Sequence, residues 1–250
     1  MAMSATVYGF VIGIALGLTG GGGSILTVPV LIYLVGESVQ SAIGTSLAVV
    51  GGIATQGVIT QRKRVDWRSA TALGTFGIIG SYPGTLISQH LSGRLLLMLF
   101  AGVMLVAAAA MLRSKPAERE GRSAPFVVVA VTGVALGFLT GFLGVGGGFL
   151  IVPALVLAIG LSMPAAVATS LAVIAFNAFV SLVMRSTSAS VDWHIVGWFL
   201  VGGVVGTFVG AAIGRRLDQT LLKRVFACFV IAIGLFTAAS AAGIIPVSVK

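Results

Sequence analysis

Apolar residues fall into eight long runs separated by short polar segments: Val7 to Gly36, Ala42 to Thr60, Ala70 to Ser88, Leu95 to Leu112, Phe126 to Leu161, Ala166 to Met184, Ile195 to Ile213 and Leu221 to Gly243. A membrane-spanning helix needs about 20 apolar residues to cross roughly 30 Å of hydrocarbon. The pattern therefore predicts an all-helical, polytopic membrane protein built from two sets of four segments. The first run of each set has 30 and 36 residues, too long for one ordinary span and short for two. Each is interrupted by glycines, Gly20-Gly21-Gly22-Gly23-Ser24 in one and Gly144-Val145-Gly146-Gly147-Gly148 in the other. Glycine inside a helix costs roughly 1 kcal/mol relative to alanine, so four together predict a break. Arms of about 15 residues, about 22 Å long, stop short of crossing. The expected shape is a hairpin or re-entrant pair with its tip inside the bilayer, where unwound backbone must face protein or a water-filled cavity.

The two sets are copies of each other. At an offset of 124, residues 17–31 and 141–155 share eight of fifteen residues, including four glycines and the pair Pro29/Pro153. Gly44-Thr45-Ser46-Leu47-Ala48-Val49 recurs as Ala168-Thr169-Ser170-Leu171-Ala172-Val173, and Val65-Asp66-Trp67 recurs as Val191-Asp192-Trp193. Gly77, Gly80 and Gly84 return as Gly203, Gly206 and Gly210. The expected organisation is one transmembrane domain holding repeats 7–112 and 126–243, joined by a connector, 113–125, that has nothing to bury. Each repeat would be a glycine-broken hairpin followed by three transmembrane helices.

Composition removes other classes. With 58% hydrophobic and 8% charged residues, the chain is far from a soluble domain, where about a quarter are charged. The net charge of +9 sits in loops, without the face of interleaved aromatics that would mark nucleic-acid binding. If each long run returns to its own side, twelve of the fifteen Lys and Arg fall on one face, from Arg62 to Arg64 with Arg68, from the connector, and from Arg215 to Arg224. If each run crosses once, the best division is ten against five. The positive-inside rule prefers the first arrangement, which inverts one half relative to the other. Paired, glycine-interrupted segments in inverted halves mark the midplane site of secondary transporters. The N-terminus has no basic residue before its apolar run, so the form of a cleaved signal peptide is missing and the first segment is expected to be retained. The single cysteine, Cys228, reads as packing inside an apolar run.

The paired glycine-proline stretches and Thr-Ser-Leu-Ala-Val segments make the chain resemble the TauE/SafE family of sulfite exporters over nearly its whole length. The pattern is complete from Gly144 to Pro153, whereas Ser24 stands where the second copy has Gly148. The resemblance implies transport of sulfite, sulfoacetate or related organosulfonates across a bacterial inner membrane.

An anion leaving water needs hydrogen-bond donors, and free backbone amides at helix starts and glycine nests supply them without a buried charge. The candidate substrate-binding residues are therefore Gly20, Gly21, Gly22, Gly23 and Ser24 with Gly144, Gly146, Gly147 and Gly148. Pro29 and Pro153 are expected near the first turn of each second arm, where a missing N–H costs little. Thr45, Ser46, Thr169 and Ser170 join the candidates: they follow the helix-capping Ser38 and Ser162 by seven or eight residues, about 10 Å along the axis. Their hydroxyls could instead bond a carbonyl one turn back. Gln56 and Asn177 line the same cavity or hold helices together. Gly80, Gly84, Gly206 and Gly210, spaced by four, read as helix packing. Asp66 and Asp192 are expected to cap the helices that follow, with Trp67 and Trp193 at head-group depth.

No Asp, Glu, Lys or Arg lies well inside a run, which argues against a carboxylate proton relay and favours facilitated export driven by the membrane potential. His90 and His194 flank spans and read as boundary residues. No grouping supports catalysis, a metal or a cofactor, so an enzyme is not expected. The partners implied are the bilayer and a small anion, with no nucleic acid; a homodimer stays open. The alternative function is an anion or cation channel whose glycine backbone forms the filter.

Overall fold

The computed structural model describes residues 2–88, 90–91, 93–114, 124–143, 148–184 and 191–241. Among them are ten α-helices: α1 (Ala2–Thr19), α2 (Gly22–Val30), α3 (Val39–Gln61), α4 (Trp67–Ser88), α5 (Gly93–Arg113), α6 (Phe126–Leu143), α7 (Gly148–Ala154), α8 (Met163–Met184), α9 (Trp193–Arg216) and α10 (Gln219–Ala241). Stretches of α3, α8, α9 and α10, 21 to 24 residues each, are long and apolar enough to cross a membrane; α1, α5, α6 and the α7 region hold shorter apolar stretches.

The first long run is broken at its glycines, after Thr19; in the second, α6 ends at Leu143 and α7 begins at Gly148, with 144–147 outside the described residues. The arms are unequal, contrary to expectation. Residues 2–6 continue the first helix, so α1 has 18 residues, about 27 Å, against 14 in the returning arm 22–35. The prolines also sit deeper than expected. α2 restarts at Gly22 and α7 at Gly148, which puts Pro29 and Pro153 in helix interiors. Proline cannot donate to the carbonyl four residues back and its ring crowds it. In both places the helix widens two residues later into a π-helical turn, Leu31–Val35 and Leu155–Ile159. Each turn ends on a left-handed glycine, Gly36 (φ 83°) and Gly160 (φ 79°). The following N–H returns to the start of the turn, from Glu37 to the Leu31 carbonyl and from Leu161 to Leu155.

Helix directions follow from where glycines meet neighbouring backbone. Gly9, Gly13 and Gly17 lie against Phe199, Gly203 and Thr207, so α1 and α9 run parallel in close contact. Gly52 and Gly57 meet Leu200 and Thr207, so α3 also runs with α9. Since α1 and α3 point the same way, the segment between them runs back, and the first long run is a hairpin. Likewise Gly77, Gly80 and Gly84 meet α6 at Gly133, Val134 and Phe138, making α4 and α6 a parallel pair. α3 and α8 are antiparallel, Gly51 facing Ala178 and Gly57 facing Leu171. Gly80, Gly84, Gly206 and Gly210 lie against backbone of α6 or α1, which is the packing role their spacing predicts.

The core lies where these helices meet, around Ile12, Leu16, Ile53, Phe149, Leu171 and Phe199. Large apolar side chains such as Val7, Ile79, Val106, Val131 and Phe236 point outward. Cys228 is exposed on α10 and does not pack in the core. Lys223, counted above among the loop charges, is buried and donates to the Ser114 carbonyl at the end of α5. A cation there complements the carbonyl end of the helix.

Candidate functional site

The two helix restarts come together. Gly20 has a left-handed conformation (φ 74°), and its N–H closes the last turn of α1 on the Leu16 carbonyl at 2.7 Å. The turn is so tight against α8 that a methyl group on Gly20 would collide with the Ser170 side chain and the Val167 backbone. One residue on, Gly21 has the backbone of Gly148 and Phe149 beside it, and Ser24 Oγ fills the space where a Gly148 side chain would be. The start of α2 thus abuts the start of α7. Phe149 seals the other side, fully buried and edge-on to Phe100 of α5 at 5.1 Å.

Gly20, Gly21, Gly23 and Gly148 are buried. The first amides of a helix have no acceptor within it. At α2 one is taken locally: Ser24 N–H and Ser24 Oγ both donate to the Gly21 carbonyl, at 3.3 and 2.7 Å. What the start of α2 can offer a ligand is backbone N–H around Gly22 and Gly23, close to a second helix start. Gly144, Gly146 and Gly147 lie outside the described residues. So do Lys115, Arg119 and Arg122 of the connector, and Arg185 and Lys250.

The hydroxyl candidates divide. Ser170 Oγ sits beside Gly20 but donates to the Val167 carbonyl at 2.8 Å, the local bond considered above. Ser46 is buried on α3. Thr45 and Thr169 do something the sequence did not suggest: they join the halves. Thr45 Oγ1 accepts the backbone N–H of Asp192 at 3.2 Å, and Thr169 Oγ1 accepts that of Asp66 at 3.0 Å. Each hydroxyl keeps its own proton to donate. The aspartates cap as expected, Asp192 accepting from His194 and Ile195 N–H, and Asp66 from Ser69 N–H and Oγ. Trp67 and Trp193 are exposed beside them.

Gln56 stays on its own helix. Its Nε2 donates to Thr60 Oγ1 at 2.9 Å while its Oε1 is buried without a partner. Asn177 is half-buried on α8, about two turns beyond Ser170. His90 and His194 are exposed, the latter accepting from Trp198 Nε1 at 3.3 Å. Among the described residues no three His, Cys, Asp or Glu side chains gather where a metal could bind.

Sequence reasoning missed Glu37. It follows the left-handed Gly36 and lies beside the hydroxyls of Ser41 and Thr45, yet both carboxylate oxygens are buried without a completed hydrogen bond. Burial pushes its carboxyl above the ordinary carboxylate range; Thr45 and Ser41 pull the other way, and the Asp192 charge adds to the rise. One signal was available: the two turns match at Gly36/Gly160 and Ser38/Ser162 and differ only between them, Glu37 against Leu161.

Comparison with known proteins agrees with this membrane architecture. A probable membrane transporter protein of Xylella fastidiosa (strain 9a5c) is 35% identical over 238 residues, 91% of each chain. One from Methanocaldococcus jannaschii is 31% identical over 194 residues, covering 73% of this chain and 71% of its own. One from Bacillus subtilis (strain 168) is 29% identical over 260 residues, 91% of this chain and 94% of its own. No solved structure matches. The family model described as sulfite exporter TauE/SafE matches residues 5–237, and with apolar helices and relatives of nearly equal length in agreement, the chain belongs to the TauE/SafE sulfite exporter family.

Proposed function

We propose that the chain is a transporter in the bacterial inner membrane that exports small sulfur-containing anions, sulfite, sulfoacetate or related organosulfonates. Its substrate site would lie at the midplane, between two inverted repeats, 7–112 and 126–243. The observation that carries the reading is the backbone contact of Gly21 with Gly148. Elements meeting directly across a two-fold axis in the membrane plane lie near the bilayer centre, where exposed backbone must serve a cavity or a ligand. The exchanged hydrogen bonds Thr45–Asp192 and Thr169–Asp66 support the inversion, as do the matched pairs α1–α9 and α6–α4.

In this mechanism the oxygen-rich anion exchanges water for amides around Gly22, Gly23 and the start of α7. The O–H groups of Thr45 and Thr169, with Gln56 and Asn177, stand near its route. Binding rests on backbone amides and hydroxyls, so the anion is held weakly enough to leave. An interior-negative potential drives a monoanion outward with about 2.3 kcal/mol per 100 mV. Access alternates by rocking one repeat against the other.

The test is flux of sulfite and of sulfoacetate in proteoliposomes, with potential and pH gradient set independently. Saturable flux that follows the potential fits the proposal. Flux without saturation would indicate a channel, and no flux of either anion would remove the substrate class.

A further inference from the structure

The two junctions between halves are built alike except at one residue. At one, Thr45 receives the Asp192 N–H beside the turn Gly36-Glu37-Ser38; at the other, Thr169 receives the Asp66 N–H, and the matching turn is Gly160-Leu161-Ser162. Only the first junction carries a titratable side chain in its turn. Glu37 is held there with both oxygens out of water, beside two hydroxyls and near a second carboxylate.

We propose that Glu37 is a proton-binding residue that holds the Thr45–Asp192 junction closed when protonated and releases it when ionised. The proposal rests on the transporter reading, in which that junction parts during the cycle. The step is one proton passing from water to a carboxylate oxygen, forming an O–H bond with no other bond changed. In the neutral acid, burial is inexpensive and the carboxyl can pair with the hydroxyls of Ser41 and Thr45. In the anion, burial with no cation beside it among the described residues is costly, and Asp192 repels it. Both effects are relieved if the start of α9 moves away and water enters. Among the described residues the groups facing Glu37 are Asp192 from the start of α9 and the hydroxyls of Ser41 and Thr45 from α3. The π-helical turn before it carries Tyr33 and no charge, and His194, beyond Asp192, is engaged by Trp198. The positive-inside count puts this junction on the outer face. Its partner, with Leu161, has no such group, so the device makes one gate sensitive to pH and leaves the other indifferent.

The test reads the junction itself and needs no substrate. Spin labels at Leu34→Cys and His194→Cys, both exposed positions, go into a Cys228→Ser background, and distances are measured by pulsed electron spin resonance in liposomes at about pH 5.5 and about pH 8. With Glu37 present, a longer distance should gain population at the higher pH. Glu37→Gln, and Glu37→Leu which copies the second half, should keep the short distance at both. Identical distributions at the two pH values with Glu37 present would overturn the proposal. So would an undiminished pH response in both variants. Absence of anion flux in the transport assay would count against the transporter reading alone, since these distances are taken without substrate.

Discussion

Gly21 meets Gly148 through backbone alone: a methyl group on Gly21 would collide with the Gly148 carbonyl, and one on Gly148 would lie 2.6 Å from Ser24 Oγ. Gly21→Ala must therefore push the start of α2 off α7, and overpacking of this kind costs about 1–3 kcal/mol. Flux should fall at least about tenfold with membrane insertion unchanged, because the displaced backbone is the proposed ligand-binding surface. Gly102→Ala and Gly197→Ala are the controls. Nothing lies within 4 Å of the added methyl group at either position, and helix propensity alone should leave them neutral or up to about 1 kcal/mol more stable. Wild-type flux in Gly21→Ala would show that the meeting of the two helix starts is packing only.

Gly13 and Gly137 occupy matching positions, one against the Gly203 carbonyl and the other against that of Gly77. Neither contact leaves room for a methyl group, so Gly13→Ala and Gly137→Ala should destabilise by similar amounts, about 1–3 kcal/mol. Melting of the purified protein in detergent measures this. One variant losing several degrees while the other melts like the parent would mean that the halves do not carry equivalent loads.

Thr45 and Thr169 are the acceptors of two inter-half hydrogen bonds. Thr45→Val and Thr169→Val leave the Asp192 and Asp66 amides without that partner, at a cost of about 1–3 kcal/mol each where water cannot replace it. Both melting temperatures should drop. A raised KM for anion flux with an unchanged melting temperature would instead assign the hydroxyl to the substrate.

Much of this architecture was readable from residue pattern because bilayers and glycines impose blunt constraints. The break after Thr19, the caps at Ser38 and Asp192, and the packing of Gly80 and Gly206 each follow from one local rule. What stayed hidden depends on partners far away in the chain. Thr45 is 147 residues from the amide it accepts, and Lys223 is 109 from the carbonyl that holds it. No periodicity of 3.6 reports such a contact. The prolines were misplaced for another reason: helix α2 resumes as soon as Gly21 allows, and the strain of Pro29 is absorbed downstream in a wider turn that propensity does not foresee.

Glu37 makes a prediction about stability whose sign is fixed by the direction of its shift. Burial raises the folded-state pKa above the ordinary carboxylate value that the unfolded chain has, with Thr45 and Ser41 opposing and Asp192 adding. The folded protein therefore holds this proton more tightly than the unfolded chain. Below the ordinary value both states carry the proton, and the contribution is fully present. It is lost as pH rises through the raised folded-state value, so stability from this residue declines toward neutral pH. Most carboxylates that gain a partner on folding behave the other way, which makes the effect separable. Melting temperatures measured in small pH steps should fall for the parent relative to Glu37→Gln across that window, and the two curves should run parallel on its alkaline side. Curves parallel throughout would mean that Glu37 titrates alike in both states and that its carboxylate reaches water in the folded protein.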